Sequence, residues 1–258
     1  DYNPSFGGVN PEPIDKNLAA LRDAMAVHRA AVGLATDGDG DRIGAIDADG
    51  RFINAHQIMA LLTKYLVEKR GWTGGVAQTL TVSELVKRVA AKYGLKLYET
   101  PVGFKFIANL MLSEDILIGG EESGGIGIKN YIPERDGVLL GFLLIEVVAA
   151  YGKTLGQLLD EMMAELGYFY YGREDLHIDD DRKTRLMTTL VPTPPGVLGA
   201  LKPHGANCTD GCKLYVEGGW VMFRASGTEP IVRVYAEADS PAKLNTILSE
   251  AVNYARNA

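Results

Sequence analysis

The chain has 258 residues, 47% of them apolar and 23% charged, and its 26 basic and 33 acidic side chains leave a formal charge of −7. That apolar share builds real cores and excludes a disordered chain, while the length predicts two domains or more. The acidic balance gives no electrostatic footing for nucleic acid or an anionic membrane, so neither is expected as a partner.

After a turn-rich Asn10-Pro11-Glu12-Pro13, the spacing of Ile14, Leu18, Leu21 and Met25 predicts a helix. Residues 31–35 read as a fully buried strand that ends in Asp37-Gly38-Asp39-Gly40-Asp41-Arg42, and 43–46 as a second strand turned by Asp49-Gly50. Ile58, Leu61, Leu62 and Tyr65 mark a helix, and 76–79 a strand. Thr81 with Glu84 has the pattern of a capping box for the helix of Leu85, Val86 and Val89. Strands at 97–100 and 116–118 follow, the second stopped by Gly119-Gly120, and a long helical region covers about 138–166. This alternation predicts a mixed, mostly parallel, three-layer α/β/α sheet domain. Beyond it, an aromatic strand at 168–171, strands at 214–216, 220–223 and 231–236, and a closing helix around Leu244 and Ile247 predict a smaller α+β domain. The expected divisions are 1–52, 53–168 and 169–258.

Three loops carry polar chemistry. In Asp37-Gly38-Asp39-Gly40-Asp41 three carboxylates converge on one turn, an arrangement that a hard divalent cation relieves. A solvated acidic turn and an aspartyl phosphatase loop remain alternatives. An EF-hand fails, because Arg42 and Ala48 stand where it needs glycine and glutamate. The second loop, Gly119-Gly120-Glu121-Glu122-Ser123-Gly124-Gly125, sits at the end of a buried strand, where open α/β sheets bind ligands. Its carboxylates and hydroxyl suit a sugar diol, or else form a plain polar turn. The third, Arg224-Ala225-Ser226-Gly227-Thr228-Glu229-Pro230, could wrap a phosphate with a guanidinium and hydroxyls, or be a hairpin with a solvated arginine.

Taken in this order, DGDGDR at 37–42, GEESGG at 120–125 and RASGTEP at 224–230 resemble the α-D-phosphohexomutase family, closest to its bacterial phosphoglucomutase/phosphomannomutase type. FGGVNPEP at 6–13, TPVGFK at 100–105 and IPERDG at 132–137 extend the resemblance from end to end. The resemblance implies that Asp37, Asp39 and Asp41 bind Mg²⁺, with Arg42 beside the transferring phosphoryl group. It implies that Glu121 and Ser123 hold the sugar 3- and 4-hydroxyls, and that Arg224, Ser226, Gly227 and Thr228 hold the other phosphate. Lys105 is implied as general base or charge stabiliser. Gly125 and Tyr131 stand where some relatives carry histidine. The family's first domain carries a serine loop resembling T-A-S-H-N-P, and no such segment occurs in these residues. The chain therefore reads as the end of a second domain plus a third and a fourth.

What the resemblance implies is a hexose-phosphate mutase working through a phosphoserine and a hexose 1,6-bisphosphate, with a phosphorylated hexose as partner and a monomer or weak dimer as assembly. A non-catalytic sugar-phosphate binding fragment and a Mg²⁺-dependent phosphatase with Asp37 as nucleophile are the alternatives. Two cysteines exclude a disulfide scaffold and make a reducing cytoplasm the expected compartment. The apolar run 138–145 is too short to span a bilayer, and no secretory signal is recognisable. The four histidines have no metal-ligand spacing and read as surface or loop residues, and Cys208 and Cys212 lack the second pair of a zinc site.

Overall fold

A computed structural model describes residues 3–227 and 229–257. The chain divides into two compact units between Leu166 and Gly167, and residues 1–52 belong to the first.

The first unit opens with 3₁₀ turns at Phe6–Gly8 and Asp15–Asn17 and helix α1 (Ala19–His28). Strands β1 (Val32–Thr36), β2 (Ile43–Asp47) and β3 (Phe52–Ile53) form an antiparallel sheet in that order. This sheet is the antiparallel part of the mixed arrangement. The six residues from Asp37 to Arg42 allow only a hairpin between β1 and β2, whereas a parallel connection needs a crossover of about a dozen residues. Edge position also explains why β1 is half-exposed rather than fully buried, while every residue of β2 is buried.

Helix α2 (Ala55–Glu68) leads into β4 (Gly75–Thr79), α3 (Glu84–Lys92), β5 (Leu97–Thr100), α4 (Phe104–Ser113), β6 (Ile116–Gly120) and β7 (Ile126–Ile128). The sheet runs β5-β4-β6-β7. β4 pairs parallel with both β5 and β6, and β7 returns antiparallel on β6. Helices cover both faces, making the expected mixed α/β arrangement. At adjacent residues of β6, a Cβ on Gly119 would strike Ile107 of α4 and one on Gly120 would meet Met59 of α2. Because successive strand residues face opposite sides, α4 and α2 lie on opposite faces. The expected long helix is two, α5 (Gly137–Tyr151) and α6 (Leu155–Leu166), separated by the left-handed Gly152. Among the described residues no single helix is long and apolar enough to cross a membrane.

Two local expectations are corrected. The capping box belongs to α2, where Asn54 Oδ1 accepts from Gln57 N and Gln57 Oε1 from Asn54 N. Ser83, not Thr81, caps α3 by accepting from Leu85 N. Thr81 is drawn instead toward the second loop, as described below. His56 is also not a surface residue: it is 3% exposed on α2, and its Nδ1 accepts from Ser83 N.

The second unit is a five-stranded antiparallel sheet, order β8-β12-β11-β10-β9, formed by β8 (Tyr170–His177), β9 (Gly205–Asn207), β10 (Cys212–Val216), β11 (Gly219–Ala225) and β12 (Ile231–Ala238). Helices α7 (Asp180–Leu190) and α8 (Pro241–Asn257) bury Leu186, Leu190, Ile247 and Ala251 against Leu214, Phe223, Val232 and Val234. That layer supplies the core, and the strands hold the third loop between β11 and β12.

Candidate functional site

The β1–β2 hairpin builds the acidic loop around one carboxylate. Asp37 Oδ1 accepts from the backbone N–H groups of Asp41 and Arg42, both at 3.0 Å, which fixes the turn. Its Oδ2 pairs with Arg42 Nε at 2.5 Å, and the side chain is 1% exposed. Burial pushes this carboxyl up, but the hydrogen bonds and charge of Arg42 outweigh burial and hold it at about 2. Asp39 is exposed, and Asp37, Asp39 and Asp41 each place one oxygen within 4.8 Å of the others. Hard anionic oxygens converging at this distance fit a divalent cation of the Mg²⁺ type, which takes one or two carboxylates and keeps several waters.

The loop after β6 meets the same hairpin. Arg42 and Gly125 form a β-bridge, and Ile43 N donates to Gly124 O at 3.2 Å. Gly124 has φ +102°, and a Cβ there would lie 2.7 Å from Ile43 O, so side chains are excluded at this contact. Glu121 is buried, and burial first, with Glu122 second, raises its carboxyl to about 7 against the lowering charge of Arg135 and a hydrogen bond from the Gly103 backbone. Glu122 Oε2 accepts from Thr81 Oγ1, which is itself 3.0 Å from Thr79 Oγ1. With Thr81 donating to Glu122, Thr79 donates to Thr81. Ser123 is half-buried in the same turn.

Arg135, on the segment between β7 and α5, joins the two loops. Its NH2 lies 2.6 Å from Asp41 Oδ2 and its NH1 3.8 Å from Glu121 Oε2. Its guanidinium also covers the Phe104 ring at 5.5 Å. A Cβ built on Gly125 would fall inside contact distance of Arg135 Cδ, so this arginine occupies the room that a larger residue at 125 would need. Asp41 is raised by burial despite Arg135, with Asp37 and Asp39 adding to the rise. The string IPERDG does not by itself mark Arg135, because only folding brings 135 beside 41 and 121.

Lys105 is exposed on the first turn of α4, with its Nζ 5.0 Å from the Phe106 ring centre. Among the described residues it makes no ion pair with the acidic loop. Tyr131 is 47% exposed, and its hydroxyl donates to Asp136 at 2.9 Å.

The third loop belongs to the second unit. Arg224 is not a solvated charge: its Nε stands 3.0 and 3.2 Å from the two carboxylate oxygens of Asp210. Ser226 is buried, its Oγ accepting from Glu229 N at 3.2 Å. Gly227 is exposed, with open space where a Cβ would stand. Thr228 lies outside the described residues. Lys183 of α7 donates to Glu229 O at 3.1 Å and so adds a second cation to this loop.

The chain thus carries an antiparallel hairpin of three aspartates and a carboxylate-bearing loop at the end of a parallel strand in its first unit, and a basic turn on an antiparallel sheet in its second. Family models match three spans of the chain. Phosphoglucomutase/phosphomannomutase alpha/beta/alpha domain II matches residues 1–50, alpha/beta/alpha domain III matches 54–166, and the C-terminal domain matches 190–253. The chain belongs to the phosphoglucomutase/phosphomannomutase, or α-D-phosphohexomutase, family. A phosphoglucomutase/phosphomannomutase from Thermococcus kodakarensis is 34% identical, over 94% of this chain and 51% of its own length. A phosphoglucosamine mutase from Methanocaldococcus jannaschii is 29% identical, over 98% and 55%. The crystal structure of a putative phosphomannomutase from Thermus thermophilus superposes with a TM-score of 0.81 at 38% identity, covering 97% of this chain and 52% of that one. The chain thus spans about half the length of the relatives it matches.

Proposed function

We propose that this chain is the part of a hexose-phosphate mutase that holds the metal, reads the sugar and clamps the non-reacting phosphate, in a protein that exchanges the 1- and 6-phosphates of an α-D-hexose through a phosphoserine and a hexose 1,6-bisphosphate. One observation carries the reading: Arg135 and the Gly124–Ile43 contact bring the Asp37/Asp39/Asp41 loop and the Glu121 loop into a single acidic site in the first unit.

Asp37, Asp39 and Asp41 would hold Mg²⁺, which when bound supplies positive charge to the oxygens of a transferring phosphoryl group. Arg42, seated on Asp37, would face the same group. Glu121 and Ser123 read vicinal hydroxyls, since one carboxylate accepts two hydrogen bonds from a diol. Arg224, Ser226, Gly227 and Thr228 take the phosphate that stays on the sugar, with Lys105 as the base or charge stabiliser. Such chemistry depends on positioning and fixed charge more than on covalent help from these loops. Against the aspartyl phosphatase alternative, Asp37 is the least accessible of the three aspartates, with one oxygen on Arg42 and the other on two amides.

Calorimetry of the 258-residue chain with glucose 6-phosphate, with and without Mg²⁺, tests the binding half of the reading. Weak saturable binding is expected, and it should be lost in Arg224→Ala; its absence in the unaltered chain would refute the assignment. A coupled assay with glucose 1-phosphate, Mg²⁺ and a trace of the 1,6-bisphosphate is expected to show negligible turnover by this chain. Turnover near about 10 per second without a serine loop would refute the phosphoserine route.

A further inference from the structure

The second unit holds a pair of thiols that no part of the sugar-phosphate reading uses. β9 pairs antiparallel with β10, Asn207 facing Lys213 and Ala206 facing Leu214. Carried one residue further toward the turn, this register sets Cys208 opposite Cys212 across Thr209-Asp210-Gly211. The two cysteines are free, and their Sγ atoms lie 3.3 Å apart. Facing residues of an antiparallel pair have Cα atoms about 4.5–5.5 Å apart, inside the span that a disulfide bridges. The sulfurs therefore need to close by only about 1 Å to reach bonding distance, a shift within reach of small side-chain rotations.

The two positions are chemically unequal. Cys212 is buried in the core beside Leu214 and Phe223. Burial, and then the hydrogen bond with Cys208, pushes its thiol up to about 12. Cys208 is half-buried and is the sulfur a dissolved reagent meets first. Among the described residues no further His, Cys, Asp or Glu joins the two thiols into a metal-holding group. The turn between them also carries Asp210, the partner of Arg224. A bond here would close one side chain away from the third loop.

We propose that Cys208 and Cys212 form a redox-active dithiol site that closes to an intramolecular disulfide by exchange with a small disulfide of the oxidised-glutathione class. Cys208 gives up its proton and attacks one sulfur of that disulfide, expelling one glutathione thiolate, which takes the proton. The mixed disulfide at Cys208 then lies against Cys212, which loses its proton, attacks the Cys208 sulfur and expels the second glutathione as a thiol. Two protein thiols are oxidised and one glutathione disulfide is reduced to two thiols. Both sulfurs sit on one turn, so the second step needs little chain ordering.

The test incubates the folded 258-residue chain with oxidised glutathione, alkylates remaining thiols and maps non-reduced peptides by mass spectrometry. The expected product has lost the mass of two hydrogens, carries no alkylated cysteine, joins Cys208 to Cys212, and regains both thiols with dithiothreitol. Cys212→Ser is expected to stop at a stable glutathione adduct on Cys208, and Cys208→Ser to leave Cys212 a free thiol. The map of the unaltered chain decides the matter even if a serine variant folds poorly. A lasting glutathione adduct on Cys208 with Cys212 still alkylated, bonds only between chains, or two unreacted thiols would each overturn the proposal.

Discussion

Arg135 NH2 lies 2.6 Å from Asp41 Oδ2, although the two residues are far apart in the chain. The pair ties the segment before α5 to the β1–β2 hairpin, and the same guanidinium stands 3.8 Å from Glu121. One side chain thus reaches both the acidic loop and the Glu121 loop.

The two neighbouring glycines of the second loop are expected to respond differently to alanine. At Gly124 a methyl would meet the rigid carbonyl of Ile43 at a positive φ, so Gly124→Ala should cost about 2 kcal/mol or more. At Gly125 the obstacle is the Arg135 side chain, which can move. Gly125→Ala should therefore cost less but displace Arg135 from Asp41. A urea-denaturation cycle of Gly125→Ala with Arg135→Ala should show a coupling of about 1 kcal/mol. Additive changes would show that Arg135 does not fill the space at 125.

Asp39→Asn should weaken Mg²⁺ binding about tenfold or more, equivalent to about 1.4 kcal/mol, because one of the three proposed hard anionic ligands is lost. Asp39 is exposed, so the fold should be unaffected. Calorimetric titration with MgCl₂ is the measurement, and an unchanged affinity would remove Asp39 from the metal site.

Glu121 should make stability fall as pH rises. Its folded-state carboxyl titrates at about 7 against an ordinary 4.5. The folded chain therefore keeps the proton at pH values where the unfolded chain has released it. This stabilisation is complete below about 4.5 and is lost as pH climbs through about 7, at most about 3 kcal/mol over the window. Glu121→Gln carries no such proton, so its urea midpoint relative to the unaltered chain should rise across the same window. A constant difference between the two would mean that Glu121 titrates normally.

Substrate breadth follows from what the loops can read. In the proposed reading Glu121 and Ser123 address neighbouring hydroxyls, and no residue is assigned to carbon 2. The complete protein should accept both glucose and mannose phosphates. Kinetics on both sugars would check this, and a preference above about a thousandfold, roughly 4 kcal/mol, would reveal a residue reading carbon 2.

The acidic turn, the glutamate loop after a buried strand and the arginine turn were legible in the sequence, because each is local, whereas α4, β3, β7, β9 and the break between α5 and α6 were not. Apolar periodicity reports which face of an element is buried, and a run such as DGDGD states its own chemistry. Some features were not legible because they depend on what packs beside them. Thr81 reads as a cap from its spacing to Glu84, yet Glu122, 41 residues away, claims its hydroxyl. His56 looks like any isolated histidine until α2 folds down and Ser83 N finds its ring. Arg135 and Lys183 are ordinary surface charges in the sequence, and only tertiary structure sets one beside Asp41 and the other on the Arg224 loop. The direction of β1 against β2 was decidable from the short connection alone, but the pairing of Cys208 with Cys212 needed the register of β9 on β10. Local pattern determines which groups exist and how each backbone runs; burial and long-range contact decide which of them meet, and so which charges and protons each one keeps.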